Sequence, residues 1–310
     1  TTPAAASATR MDLSLRETPQ SISVVTRQQM DDQNLVTLDD VMRQTPGVVA
    51  EKLDERVIFT SRGFALSTMI DGVPTFSFKT PAAEIGMLNT VLYDRVEVVR
   101  GAAGLLGGVG EPGGSVNLVR KRPTSEFAGR ATVGAGRWSN YNLELDVGGP
   151  LNSAGTLRGR AIASRTSGDS FIDYKKRSDD IVYGILEADV TPNTTLSLGY
   201  EHQKTAIDGA NFGQAPLFYS DGTRTDLPRS FNPSTPWSRW NMYSDKVFVT
   251  LDQRFTNGWR IKMEASRLKN ERKAAWGYLS SYSPVDQAGG STIEIRDNPA
   301  RSVNRSFDVY

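Results

Sequence analysis

The sequence predicts an α+β domain followed by an antiparallel β-barrel of the membrane-spanning kind. Three observations carry this. From Pro19 to Pro123, short strand-like runs and one helical segment alternate under glycine punctuation. After Phe127 the pattern changes to stretches of about ten residues with strict apolar/polar alternation, the length a tilted strand needs to cross a bilayer. The connections between those stretches alternate too, short turns with longer polar segments, as in transmembrane barrels. A soluble β-sandwich is the alternative, but its strands average about five to six residues and its loops need not segregate by length.

The elements follow in order. Residues 1–16, rich in Ala, Thr and Ser without a period, read as a flexible lead-in to a first domain at 17–125 and a barrel portion at 126–310. SISVVT (21–26) is a strand candidate. Thr37 can cap a helix, with Asp40 at the third position as a capping box. Leu38, Val41 and Met42 then share one helical face, and Thr45-Pro46-Gly47 ends the helix. Residues 57–61, 68–70 and 96–99 are short strand candidates, with Gly63, Gly72, Gly101 and Gly104 between them.

In the second half, Tyr141, Leu143, Leu145 and Val147 alternate with Asn142, Glu144 and Asp146, and Leu196, Leu198 and Tyr200 alternate with Ser197, Gly199 and Glu201. Val247, Val249 and Leu251, then Trp259, Ile261, Met263 and Ala265, repeat the pattern. Short turns fall at 148–155, 191–194 and 256–258, and longer polar segments at 167–179, 206–245 and 271–302. Eight candidate strands result, the last at 302–310. An eight-stranded barrel is filled by its own side chains. Either the first domain lies outside a small barrel, or the barrel is larger and this chain holds only part of it.

Composition narrows the function. The 310 residues carry a net charge of +1 and a pI near 7.8, with no basic field to suggest a nucleic-acid partner. There is no cysteine and a single histidine, His202, so a disulfide framework and a thiolate or histidine-rich metal site are excluded. No run of 18 apolar residues occurs, and TTPAAASATR lacks the pattern of a signal peptide. A mean hydropathy of −0.39 is compatible with a membrane barrel, which is apolar only at alternate residues. Gly108–Gly113 matches G-x-G-x-x-G, but a strand-like run follows it rather than a helix, which argues against dinucleotide binding. No nucleophile–base constellation or phosphate-binding lysine loop stands out, so no enzymatic activity is expected.

Six segments of the first domain, taken in order, carry a family resemblance. ETPQSISVVTRQQMDDQ (17–33), TLDDVMRQTPGV (37–48), TSRGF (60–64), IDGVP (70–74), DRVEVVRGAAGLLGG (94–108) and GEPGGSVNLVRKRP (110–123) closely resemble the plug of TonB-dependent siderophore receptors. GRWSNY (136–141), FGQAPLFYSDGT (212–223), STPWSRWN (234–241) and KVFVTLDQRF (246–255) extend the likeness into the barrel half. The resemblance is nearest to the group of coprogen/rhodotorulic acid and pyoverdine receptors. It implies a plug folded inside a 22-stranded barrel in the bacterial outer membrane, of which this chain holds about eight strands. It also implies import of a ferric siderophore energised by TonB and its inner-membrane complex. The iron would be carried as a chelate, with no bound cofactor, by a monomer surrounded by outer-membrane lipid. Two departures stand out. The family's TonB box is not recognisable in TTPAAASATRMD, and the Arg-Trp pair of the coprogen pattern is replaced by Thr80 and Pro81, beside Lys79. A receptor for cobalamin or a carbohydrate is the alternative, with an outer-membrane enzyme or adhesin behind it.

A ferric siderophore is large, polar and often charged, so its receptor needs aromatic surfaces and a few cationic groups. The plug tips offer Arg62, Phe76, Phe78 and Lys79, and the long loops offer Phe218, Tyr219, Trp237, Trp240, Tyr243, Trp276 and Tyr278. Arg62 has a structural ion pair as its alternative role, Phe76 and Phe78 a place in the plug core or a contact with the barrel wall, and the tryptophans a place in the aromatic girdle. The girdle is the favoured reading for Trp138 and Trp259. Arg95, Glu97 and Arg100 lie on a plug strand whose charge suits contact with a polar barrel wall, where Glu144, Asp252 and Glu264 are candidate partners.

Overall fold

The computed structural model describes residues 20–75, 89–101, 111–279, 285–286 and 293–309. They fall into two compact units that divide between Arg122 and Pro123.

The first unit runs β1 (Ser21–Thr26), α1 (Arg27–Asp32), α2 (Leu38–Arg43), β2 (Val49–Lys52), β3 (Val57–Ser61), β4 (Phe64–Ala65), β5 (Ser67–Ile70), β6 (Val73–Thr75), a 3-10 turn at Thr90–Leu92, β7 (Tyr93–Arg100) and β8 (Gly114–Arg120). Helix α2 forms as its capping box requires. The Thr37 hydroxyl accepts from the Asp40 amide at 3.3 Å, and the Asp40 carboxylate accepts from the Thr37 amide at 2.8 Å. Leu38, Val41 and Met42 are buried; the helix ends at its C-cap Gln44, and Gly47 turns the chain away beyond it with φ +76°. Helix α1 was not expected. It is only six residues long, too short for a periodic signal, and starts directly at the end of β1 under a Thr26 cap.

The main sheet has the order β1-β7-β8-β5-β6, with β5 parallel to β8 and the other pairs antiparallel; β2, β3 and β4 make a separate small sheet. Two tight hairpins hold positive φ at both central residues, Arg62-Gly63 (53°, 81°) and Asp71-Gly72 (51°, 85°), as type I′ turns demand. The Asp71 carboxylate accepts from the backbone amide and Nε of Arg120, at 2.8 and 2.7 Å. The glycines of GEPGG serve close packing rather than a nucleotide. A Cβ on Gly114 (φ +119°) would lie 2.0 Å from the Val99 carbonyl oxygen, and one on Gly113 would lie 2.4 Å from that of Phe64.

The second unit is an antiparallel meander of β9 (Ala128–Gly136), β10 (Asn140–Pro150), β11 (Leu157–Asp169), β12 (Lys176–Thr191), β13 (Thr194–Asp208), β14 (Arg239–Arg254), β15 (Arg260–Leu279), β16 (Ile293–Asp297) and β17 (Ala300–Val309). The last two both pair with β15 in one continuous register, Ala275↔Asp297 leading on to Arg272↔Ala300. They are one edge strand interrupted at Pro299, and the Asn298 amide still reaches the Ala274 carbonyl at 2.8 Å. Counted so, the described residues of this unit make eight strands. Most outrun the expected ten residues, and β15 reaches 20. The segments expected as loops at 167–179, 206–245 and 271–302 shrink accordingly, because strand pairing continues where apolar alternation has stopped.

The sheet is inverted relative to a soluble one. Leu143, Leu145, Val147, Leu186, Leu196, Leu198, Tyr200, Val247 and Val249 are exposed on one face. Their register partners join them into a band across the strands, as in Leu186↔Leu198↔Val249↔Ala265↔Phe307. The opposite face buries Asp146, Asp179, Glu187, Glu201, Lys246, Glu264 and Arg272 beside Ile162, Tyr183 and Phe248. Several of its charges are paired. Arg160 grips Asp146 through two hydrogen bonds of 2.7 and 2.8 Å, Arg177 and Thr205 both reach Asp179, and Lys246 lies 3.8 Å from Glu264.

Candidate binding site

In the first unit the β3–β4 turn lifts Arg62 into solvent, with Phe64 beside it at 55% exposure. Arg62 makes no salt bridge among the described residues, so the structural ion pair is not formed there. Phe64 was missed by the sequence reading, although it stands in TSRGF directly after the turn. Phe76, Phe78 and Lys79, with Thr80 and Pro81, lie outside the described residues.

Arg95, Glu97 and Arg100 have partners within their own unit. Arg95 Nε donates to Glu97 Oε1 at 2.7 Å, and Asn117 Nδ2 donates to Glu97 Oε2 at 3.2 Å. Arg100 donates to the Ser21 and Ser23 hydroxyls, each at 2.8 Å, and to the Pro46 carbonyl at 2.6 Å, which ties β1 to the end of α2.

In the second unit the residues 209–238 between β13 and β14 are anchored on both sides. Asn232 Nδ2 donates to the carbonyls of Asp173 and Gly209 at 2.9 and 3.0 Å. The Ser234 hydroxyl lies 2.7 Å from the Ala210 carbonyl and 2.8 Å from that of Gly277. The Tyr174 hydroxyl lies 2.8 Å from the Ser234 carbonyl. Burial pushes the Tyr174 phenol up from its usual range, and the neighbouring Asp173 carboxylate adds to the shift. None of these anchors was singled out from the sequence; the turn-forming cluster NPST (232–235) was the available signal.

Trp240, Trp276 and Tyr278 come together on the buried face. Trp276 stacks on Phe212 at 4.8 Å with 23° between planes, Trp240 meets Trp276 at 4.7 Å, and Phe212 meets Tyr278 at 5.0 Å. Trp240 and Trp276 are 1% and 0% exposed, so they brace the loop and leave its surface to others. The exposed aromatics are Phe218 and Trp237, at 57% and 46%. Phe218 and Tyr219 sit in a small ribbon closed by a Phe218–Arg224 bridge and a Tyr219 amide to Thr223 carbonyl bond of 2.8 Å. Tyr243 departs from this group. Register puts it on the exposed face of β14, opposite to Trp240, under the Lys273 ammonium at 5.4 Å. Trp138 and Trp259 are exposed in turns at opposite ends of the sheet, which fits girdle positions.

Residues 14–115 match the TonB-dependent Receptor Plug Domain. Over 309 residues the chain is 41% identical to the ferripyoverdine receptor of Pseudomonas aeruginosa, covering 98% of this chain and 38% of that protein. The chain belongs to the TonB-dependent receptor family. It is also 37% identical to the ferric-pyoverdine BN7/BN8 receptor of Pseudomonas putida over 96% of this chain and 37% of the relative. The crystal structure of the ferripyoverdine receptor of the P. aeruginosa outer membrane, bound to ferripyoverdine, superposes with a TM-score of 0.92 and 40% identity, covering 98% of this chain and 41% of that one. The chain thus spans about 40% of the length of the receptors it matches. Within the resemblance read from the sequence, the pyoverdine receptors are the ones these relatives represent. The α+β plug and the antiparallel barrel-type sheet are the fold class expected from the sequence.

Proposed function

We propose that this chain supplies the plug and the first barrel strands of an outer-membrane receptor that binds a ferric siderophore of the pyoverdine class and imports it with energy from TonB. What most supports this is the likeness to ferripyoverdine receptors over 98% of the chain, which runs through the plug, the wall strands and the anchored aromatic loop. The chemistry agrees with it. Arg62 and Phe64 pair a cation with an aromatic face, and Phe218 and Trp237 add exposed aromatic surface on a pinned loop. Holding the loop in place before binding lowers the ordering cost that a ligand would otherwise meet. Capture of the N-terminal segment by TonB through strand addition would couple binding to transport. The receptor acts as a monomer and performs no chemistry on its cargo; iron travels as the chelate.

The test is uptake of radiolabelled iron by an iron-starved, siderophore-deficient strain carrying the receptor. Ferric pyoverdine should enter, and the signal should vanish on loss of TonB. Equal uptake of ferric coprogen or cobalamin, or uptake that persists without TonB, would refute the proposal.

A further inference from the structure

We infer that the exposed face of β15 and its edge partner carries a binding site for the phosphate of an outer-leaflet lipid, centred on Arg267 and Arg305. The inference rests on the barrel reading above and concerns a different face from the siderophore site. On this face β15 reads Met263, Ala265, Arg267, Lys269, Glu271 and Lys273 toward the long-loop end, and β17 alongside reads Val309, Phe307, Arg305, Val303 and Arg301. The apolar band therefore gives way within one alternation to five cations against one carboxylate, Glu271.

Arg267 and Arg305 are direct cross-strand partners, and both are exposed. The Asn298 amide to Ala274 carbonyl bond fixes the phase of the ladder. Counting from it in steps of one residue, the 267/305 pair is a non-hydrogen-bonded one, the arrangement that brings side chains closest. Like charges directly opposed destabilise a sheet unless something neutralises them. The nearby carboxylates are occupied. Asp245 is held by Tyr200 and His202 at 3.0 and 2.8 Å, and Glu271 lies 3.5 and 3.2 Å from Lys269 and Lys273. Arg267 itself has no salt bridge among the described residues.

The neighbours select a lipid over a free anion. One step toward the apolar band, about 7 Å along the strand, stand Ala265 and Phe307, then Met263 and Val309. A phosphate at the arginine pair would bring acyl chains onto that band. A guanidinium pair suits a phosphate through bidentate hydrogen bonds, and each basic residue near such a surface strengthens attraction to anionic lipid.

The experiment uses the full-length receptor purified from outer membranes in mild detergent. Native mass spectrometry follows retention of phosphorylated lipid A, dephosphorylated lipid A and inorganic phosphate. The expected result is phosphorylated lipid A retained by the wild type, at least about tenfold less by Arg267→Gln/Arg305→Gln, and intermediate retention by Arg267→Lys/Arg305→Lys, which keeps the charge without the bidentate geometry. Binding of ferric pyoverdine should be the same in all three proteins, which separates this inference from the import proposal and shows that the variants fold. Equal retention by the glutamine variant, or of the dephosphorylated lipid, would overturn the inference. Full displacement by millimolar inorganic phosphate would overturn the lipid assignment.

Discussion

Leu198→Arg separates a lipid-facing sheet from a solvated one. Leu198 is 51% exposed and sits in register between Leu186 and Val249, themselves 49% and 41% exposed. If water covered this face, the substitution would forfeit about half the burial of a leucine, roughly 1 kcal/mol, and the arginine stem would recover part of that. If hydrocarbon covers it, a guanidinium near the middle of the lipid face costs about 2–4 kcal/mol. The folding constant would then fall by about 30-fold or more. Guanidinium titration of the full-length receptor, folded reversibly into phosphatidylcholine vesicles, measures the difference. Lys269→Leu, on the same face but above the band, should change stability by less than about 1 kcal/mol. A Leu198→Arg penalty no larger than that of Leu198→Ala would refute a lipid-facing band.

Gly114→Ala should cost the plug at least about 3 kcal/mol, since its methyl carbon would meet the Val99 carbonyl oxygen at 2.0 Å from a φ of +119°; proteolysis of the plug under native conditions reads this out. Asp146→Ala should cost about 1.5–3 kcal/mol by removing the carboxylate that accepts two hydrogen bonds from Arg160, and Asp146→Leu/Arg160→Met should recover most of it, as thermal unfolding would show. Arg62→Gln and Phe64→Ala should each weaken ferric pyoverdine binding about tenfold with no change in melting temperature, measured by titration fluorescence. The Tyr174 phenol is raised in the folded protein, so its contribution is fully present below the ordinary tyrosine range and is lost as pH rises through the raised value. Phenolate absorbance should show a late-titrating component that is lost in Tyr174→Phe.

Where one local rule decides the conformation, the structure was legible in the sequence. The Thr37–Asp40 box produced its helix, and Tyr141 to Val147 produced a strand with its apolar side chains on the exposed face. Helix α1 was invisible because six residues do not complete two turns. The site was harder to read. An aromatic in a long polar segment looks the same whether it braces the loop or contacts a ligand, and only register shows Trp240 and Trp276 turned to the buried face with Tyr243 turned away. Arg100 likewise had no sequence signal for Ser21 as a partner, because that contact depends on β1 lying alongside β7.

The misread loop boundaries bear on how a cargo would be held. Strand β15 covers 20 residues, about 65 Å of chain, or roughly 45 Å of height at a 45° tilt. A hydrophobic band of a barrel is about 25 Å tall, so some 20 Å of paired strand must stand clear of it. The turns at 192–193 and 255–259 are short, so the excess lies at the other end, toward residues 209–238. There Trp276 is eleven residues beyond Ala265, about 25 Å higher at the same tilt. The Phe212–Trp276–Trp240 cluster is thus borne by hydrogen-bonded sheet well beyond the apolar band rather than by a free loop. Trp276→Ala should then loosen residues 209–238 and weaken cargo binding without touching the cargo. Hydrogen exchange should rise at the amides of Thr235 and Ser238, which bond to Gly277 and Thr235, while those of Leu198 and Val249 stay protected. Exchange unchanged at 235 and 238 would mean that the loop is held without the cluster.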